Sequence, residues 1–248
     1  MLHNAQNRLF PYVLIGFCLW VTGCGHDGEE PKSDADFFPL RVGDFRIYEV
    51  DETQITAYNV ETDFHYELKT LVTDSFANAN GGYSYIMSRF KRDNDAQPWQ
   101  SLDTWTLRAD TKEVVVTEGA TPFVRVTFPI KNNRTWNGNA YNDIETGKFC
   151  TTNGSPQQCD PYSIESIGQD YLTAGGLTYG DAFEVVQSND PDRVIKFDVR
   201  SEFYARGIGL IAKKSTIYNY CTQSSCSGKQ LIETGIRLTQ ELTQYGRE

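Results

Sequence analysis

Period-two alternation is the feature that most limits what this chain can fold into. Apolar side chains recur at every second position in short runs, as in Phe45-Ile47, Phe64-Tyr66-Leu68, Tyr83-Tyr85-Met87, Trp105-Leu107, Ile195-Phe197-Val199 and Ile236-Leu238. A strand turns successive side chains to opposite faces, so the pattern reads as at least ten half-buried strands. Turn formers separate the runs: Asn80-Gly81-Gly82, Glu118-Gly119, Asn153-Gly154, Gly175-Gly176 and Asn189-Asp190-Pro191. Gly and Asn accept a positive φ and Pro presets its own, which is what a tight reversal requires. No window of about twelve residues carries an i, i+3, i+4 apolar stripe. Residues 230–245 come nearest, but Thr234, Thr239, Thr243 and Gly235 place them in a strand. The expectation is a mainly β fold with little helix, its antiparallel strands forming a curved sheet, an open barrel or a sandwich. Residues 150–176 have weak periodicity and read as an inserted, stapled loop.

The N-terminus has a different character. Residues 10–21, FPYVLIGFCLWV, form an apolar run behind the basic Arg8. The run is shorter than the roughly 18 to 20 residues a spanning helix needs, and polar sequence follows it. It reads as an export signal. Val21-Thr22-Gly23-Cys24 resembles the bacterial lipobox, in which the cysteine takes a diacylglyceryl group and becomes the first residue after cleavage. Two or three acyl chains on Cys24 would anchor the protein stably, at about 0.8 kcal/mol per buried CH₂. Residues 25–36 contain no large apolar side chain and read as a flexible acidic tether. The expected organisation is a signal peptide over 1–23, a lipidated cysteine and tether over 24–36, and one β-rich domain over 37–248. The acidic start of the tether resembles the signals that send some Bacteroidetes lipoproteins to the cell surface, which favours the outer face of the outer membrane over its periplasmic side.

Charge and cysteines fit that compartment. Thirty-three acidic residues against 23 basic ones give a net charge of −10, which repels nucleic acid; the basic clusters, such as Lys91-Arg92 and Lys213-Lys214, are short. The membrane, through Cys24, is the expected partner, with a protein or glycan ligand unspecified, no cofactor, and a monomeric chain. Cys18 leaves with the signal and Cys24 carries lipid, so Cys150, Cys159, Cys221 and Cys226 remain to form disulfides. Three pairings are open, and the sequence-local one, Cys150 with Cys159 and Cys221 with Cys226, closes two short polar loops. Neither spacing has zinc-ligand form, and only His26 and His65 follow the signal, so no metal site is expected.

Two segments echo each other. Phe38-Pro39-Leu40-Arg41 leads to Gly43, and Phe128-Pro129-Ile130-Lys131 leads to Asn133, both positions tolerating a left-handed backbone. Each reads as a tight corner heading a strand, and they could divide the domain into half-sheets over 37–127 and 128–248. With Tyr204-Ala205-Arg206-Gly207-Ile208-Gly209-Leu210-Ile211, they resemble a group of uncharacterised Bacteroidetes lipoproteins that carry two F-P-[LI]-K-x-G-x-x-W boxes and a C-terminal Y-A-x-G-[IV]-G-L-[IV] box. Arg46 stands where that pattern has Trp, and Asn133 where it has Gly. The resemblance implies localisation and fold class, and no activity.

Catalytic patterns are sparse. His65 lies in the strand-like Phe64-His65-Tyr66, opposite its aromatic neighbours, and reads as a solvent-facing histidine. Gly207 and Gly209 read as a bulge or corner, and Asp93-x-Asp95 and Asp190-x-Asp192 as turns. Among the aromatic residues, 13% of the chain, Trp99, Trp105 and Trp136 are candidates to stack on a ligand, although aromatic cross-strand pairs are also ordinary structure. The expected function is non-enzymatic binding or scaffolding in the envelope. The alternatives are a lipid or lipoprotein carrier with an apolar barrel cavity, and a surface glycan-binding module with its aromatics on one exposed face.

Overall fold

The computed structural model describes residues 1, 33–79, 81–144, 151–152, 155–156, 161–192, 194–226 and 228–248. A 3₁₀ turn, Asp34–Phe37, opens the unit Ser33–Glu248. The strands are β1 (Asp44–Thr56), β2 (Val60–Ala77), β3 (Tyr83–Arg92), β4 (Gln100–Ala109), β5 (Glu113–Glu118), β6 (Thr121–Thr127) and β7 (Thr135–Asn137). They continue as β8 (Thr151–Thr152), β9 (Ser155–Pro156), β10 (Pro161–Leu172), β11 (Thr178–Asp190), β12 (Lys196–Ala205), β13 (Gly209–Tyr220) and β14 (Ile232–Arg247). The period-two pattern is visible on β1, where Tyr48 and Val50 are buried while Glu49 and Asp51 are exposed.

Twelve strands form one antiparallel sheet in the order β6-β5-β4-β3-β2-β1-β14-β13-β12-β11-β10-β7, and β8 pairs with β9 apart from it. The order describes two meanders, β1 to β6 and β7 with β10 to β14, joined where β1 pairs with β14 along its length. The chain passes from one meander to the other through residues 128–134, which include the second Phe-Pro box. The two outer strands then approach each other. Val124 of β6 donates its N–H to Gly138 O at 2.9 Å, just past β7, and its carbonyl accepts the Trp136 indole N–H at 2.8 Å. These bonds curl the sheet nearly into a closed barrel and satisfy edge groups that would otherwise be unpaired. The Trp136 and Tyr162 rings meet edge-on at 5.9 Å, and a Cβ at Gly138 would lie 2.5 Å from the Tyr162 ring, so only glycine fits there. Val114, Val124, Val126, Ile164, Phe183 and Val185 fill this side of the barrel. Each fully buried side chain of this size contributes about 1.5–3 kcal/mol.

Two stretches depart from their sequence reading. Residues 161–172, expected within a loop, form β10, whose Tyr162 and Ile164 are buried in the core. The alternation stops because Ser166 (φ 55°) and Gly168 (φ 73°) take left-handed conformations and the pairing with β11 shifts register between Glu165 and Gln169. Residues 33–36, expected as the end of the tether, are part of the fold. Ser33 and Asp36 form a reciprocal capping box, Asp34 accepts the Ile130 N–H at 2.8 Å, and Phe37 packs edge-on against Phe183 at 4.8 Å. Polar side chains that suit a solvated tether also suit caps. Val21, Thr22, Gly23 and Cys24 lie outside the described residues, as do Cys150 and Cys159. Cys221 and Cys226 are disulfide-bonded, closing the connection between β13 and β14.

Candidate functional site

Where β1 to β5 face β12 to β14 the barrel is not filled, and a cavity of about 220 Å³ remains. Strand register sets its walls. Part of the lining is apolar: Leu68 of β2, Met87 of β3, Trp105 and Leu107 of β4, Val114 and Val116 of β5. Facing it is a polar row, because Glu202 of β12, Lys213 of β13 and Gln240 of β14 are successive register partners and so share one face. Arg46, Thr70 and Arg89 make a second such row across β1, β2 and β3.

The charges are interlocked. Arg125, with 8% of its side chain exposed, pairs with Glu118 and lies 3.4 Å from Glu202. Glu202, still more deeply buried, accepts the Tyr204 hydroxyl at 2.6 Å and faces Lys213 Nζ at 3.7 Å. Burial alone would raise the Glu202 carboxyl, but Arg125, Lys213 and the Tyr204 hydroxyl outweigh it and hold the group below the usual carboxylate range. Burial lowers the Lys213 ammonium, Glu202 offsets only part of that, and the like charges of Arg125 and Arg89 add to the depression. Arg89 directs Nη1 at both Asp103 oxygens, 3.2 and 3.0 Å away, and lies 3.9 Å over the Trp105 ring. Burial pushes the Tyr48 hydroxyl up to about 12 while it donates to Leu210 O at 3.0 Å.

One end of the cavity is formed by the sequence boxes. Phe38, Pro39 and Leu40 line it, and Phe38 meets Phe128 of the second box at 6.0 Å and Tyr204 of the third at 4.9 Å. Arg46 ties the boxes together, donating through Nε to Ile208 O at 2.5 Å and through Nη2 to Pro39 O at 3.2 Å. A Cβ at Gly209 would lie 2.9 Å from Arg46 Nη2, and φ there is 97°, so the glycine is required twice over. Gly43 and Asn133 both take a positive φ, 94° and 61°, while of the two Phe-Pro peptides only Phe128-Pro129 is cis. The boxes are therefore structural corners, of which the first and third also close the cavity and the second braces the first through Phe128.

The three tryptophans are not brought together. Trp105 lines the cavity, Trp136 is buried at the closing edge, and Trp99 lies under the Arg92 guanidinium at 4.3 Å, away from the cavity lining. They do not make one exposed stacking face. His65 is exposed on β2, with Nδ1 2.8 Å from Asp51 and Nε2 3.3 Å from Glu49; the hydrogen bond to Asp51 raises its pKa. Among the described residues no group of three His, Cys, Asp or Glu side chains could hold a metal. The cavity charges escape a sequence reading because the apolar positions of β12, Phe197, Val199 and Phe203, point away from the cavity, whereas Glu202 and Tyr204 line it. No hydropathy signal marks that inversion; a charge at an inward register position does, once the register is known.

No family model matches the chain, and no curated protein does. A solved structure from Bacteroides fragilis, described as an exported protein with a YmcC-like fold, is similar over 85% of this chain and 99% of that one, with 13% identity and a TM-score of 0.40. That likeness is too distant to transfer a function.

Proposed function

We propose that the protein binds a small amphiphile inside its barrel, as a non-enzymatic, lipid-anchored envelope protein of the Bacteroidetes lipoprotein group whose boxes it carries. Cys24 supplies the anchor to the outer membrane, with the barrel on the cell surface, and the chain acts as a monomer. The observation that carries the binding reading is the cavity itself, which sets an apolar patch beside buried charges. A fold under selection for stability alone gains by filling such a space with aliphatic side chains. The size restricts the occupant. About 220 Å³ suits one small amphiphile and not the several acyl chains of a lipoprotein. Glu202 itself is unsuited to act as a general acid, since that role needs a raised pKa and its own is lowered by Arg125, Lys213 and the Tyr204 hydroxyl. A glycan platform is disfavoured by the separation of Trp99, Trp105 and Trp136.

The test is titration with a neutral apolar fluorophore, N-phenyl-1-naphthylamine, whose emission rises on entering an apolar site. The wild-type protein is expected to bind it saturably, and Leu107→Trp, which fills the cavity, to abolish the signal while the folded spectrum is retained. Absence of saturable binding to the wild-type protein would refute the reading.

A further inference from the structure

Resting on the cavity as a ligand site, we infer that its ligand carries an anionic head group, a carboxylate or phosphate, received by Lys213 with Arg89 beside it. The first observation is a local reversal of charge. The chain as a whole is strongly acidic, at −10, yet four cations, Arg46, Arg89, Arg125 and Lys213, line the cavity against two carboxylates, Glu118 and Glu202. The second is how those cations are engaged. Arg125 is held by both carboxylates, and Arg46 by two main-chain carbonyls. Arg89 directs Nη1 at Asp103, while its buried Nε has no hydrogen-bond partner.

Lys213 is the least satisfied. Its nearest carboxylate oxygen is 3.7 Å away, beyond hydrogen-bond reach, and belongs to Glu202, which Arg125 already engages. An ammonium has three donors and no acceptor, and 27% of this side chain is open. A cation removed from bulk water without a hydrogen-bonded partner is costly, and an anion placed against it restores what burial took away. The depressed pKa of Lys213 follows from the same surroundings: burial, then the opposing influence of Glu202, with Arg125, Glu118 and Arg89 facing it from other strands. The tail of such a ligand would lie along Met87, Leu107 and Val116, and its head toward Lys213 of β13 and Arg89 of β3.

The experiment compares decanoate, decanol and decyltrimethylammonium by calorimetry below their aggregation concentrations. The three share a tail and differ in head charge. Decanoate is expected to bind at least about tenfold tighter than decanol, the equivalent of one charge-assisted contact, with the cation weakest. In Lys213→Met, and separately in Arg89→Gln, the ratio of decanoate to decanol affinity is expected to fall toward one, each variant first being checked by its melting transition. Equal affinity for decanoate and decanol in the wild-type protein, or preference for the cation, overturns the head-group assignment and leaves the binding reading standing. Failure of all three to bind removes both. A methylphosphonate ester with the same tail then separates phosphate from carboxylate, the tighter binder identifying the head.

Discussion

Arg125→Met is the most informative single change. The substitution keeps an unbranched apolar stem of similar reach and removes only the guanidinium, which has 8% of its side chain exposed and bridges Glu118 to Glu202. Glu202, 4% exposed, keeps the Tyr204 hydroxyl at 2.6 Å, Lys213 at 3.7 Å and the neighbouring Gln187 amide, but loses the nearer of its two cations. Breaking a buried pair from one side costs about 3–5 kcal/mol, because the remaining charge has lost its partner. For a domain of this size that corresponds to a fall in Tm of roughly 6–20 °C. Removing the second charge as well, in Arg125→Met with Glu202→Leu, is expected to recover more than half of the loss, since the cost lies in the stranded charge and not in lost packing. Urea unfolding followed by far-UV circular dichroism measures this directly, the midpoint shifting with the slope unchanged. A loss below about 1 kcal/mol for the single variant, or a double variant as unstable as the sum of the two singles, would mean that the network is solvated and the electrostatic reading of the cavity is wrong.

Glu202 also sets an acid limb. Its carboxyl lies below the unfolded value of 4.5, so the unfolded chain binds the proton first as pH falls; the stability it contributes is complete above about that value and is lost as pH drops through the folded value. Urea midpoints measured from pH 7 to pH 3 should therefore fall less steeply in Glu202→Gln. Trp136→Phe removes the indole donor to Val124 O and is expected to cost about 1–3 kcal/mol, with faster amide exchange at Val124, whose N–H ties the same edge. Gly209→Ala places a Cβ 2.9 Å from Arg46 Nη2 at a φ of 97°, and a melting experiment should show a loss of about 1–3 kcal/mol.

How much of this could be read from the sequence depends on whether burial and hydropathy agree. They agree on β1, where Tyr48 and Val50 alternate with Glu49 and Asp51, and along most of the sheet; the mainly β class and its curvature follow from that. They agree too at Gly43 and Asn133, whose residue types anticipate their left-handed backbone. On β10 the signal is interrupted by Ser166 and Gly168, so a strand looks like a loop although its Ile164 is fully buried. At the cavity the two measures oppose each other. Lys213 sits in an apparently basic dipeptide with Lys214, and only the pairing of Lys213 with Glu202 and Gln240 shows which of the two lysines faces inward. Register is a property of the folded sheet, set by bulges such as the shift between Phe203 and Tyr204, and a single sequence does not display it.

The contrast between the two sides of the barrel is itself informative. Around β5, β6, β10 and β11 the interior is packed with Val, Ile and Phe, and the outer strands are closed by two hydrogen bonds. Across from β12 to β14 the same barrel leaves open space and lines it with Arg125, Glu202 and Lys213. Both halves face the same thermodynamic demand, and the first meets it in the ordinary way. The second carries buried charges that a purely structural core would replace with hydrocarbon at little cost or some gain in stability. Departures of this kind concentrate where a protein does its work. The boxes follow that division: Phe38, Pro39, Leu40, Tyr204 and Gly209 of the first and third line the open side, whereas Phe128, Ile130 and Trp136 of the second pack into the filled side. The corner shape that recurs thus serves the cavity end in one copy and the packed edge in the other, and a variant that loosens the cavity end, such as Arg46→Leu, should weaken fluorophore binding more than its effect on melting alone accounts for.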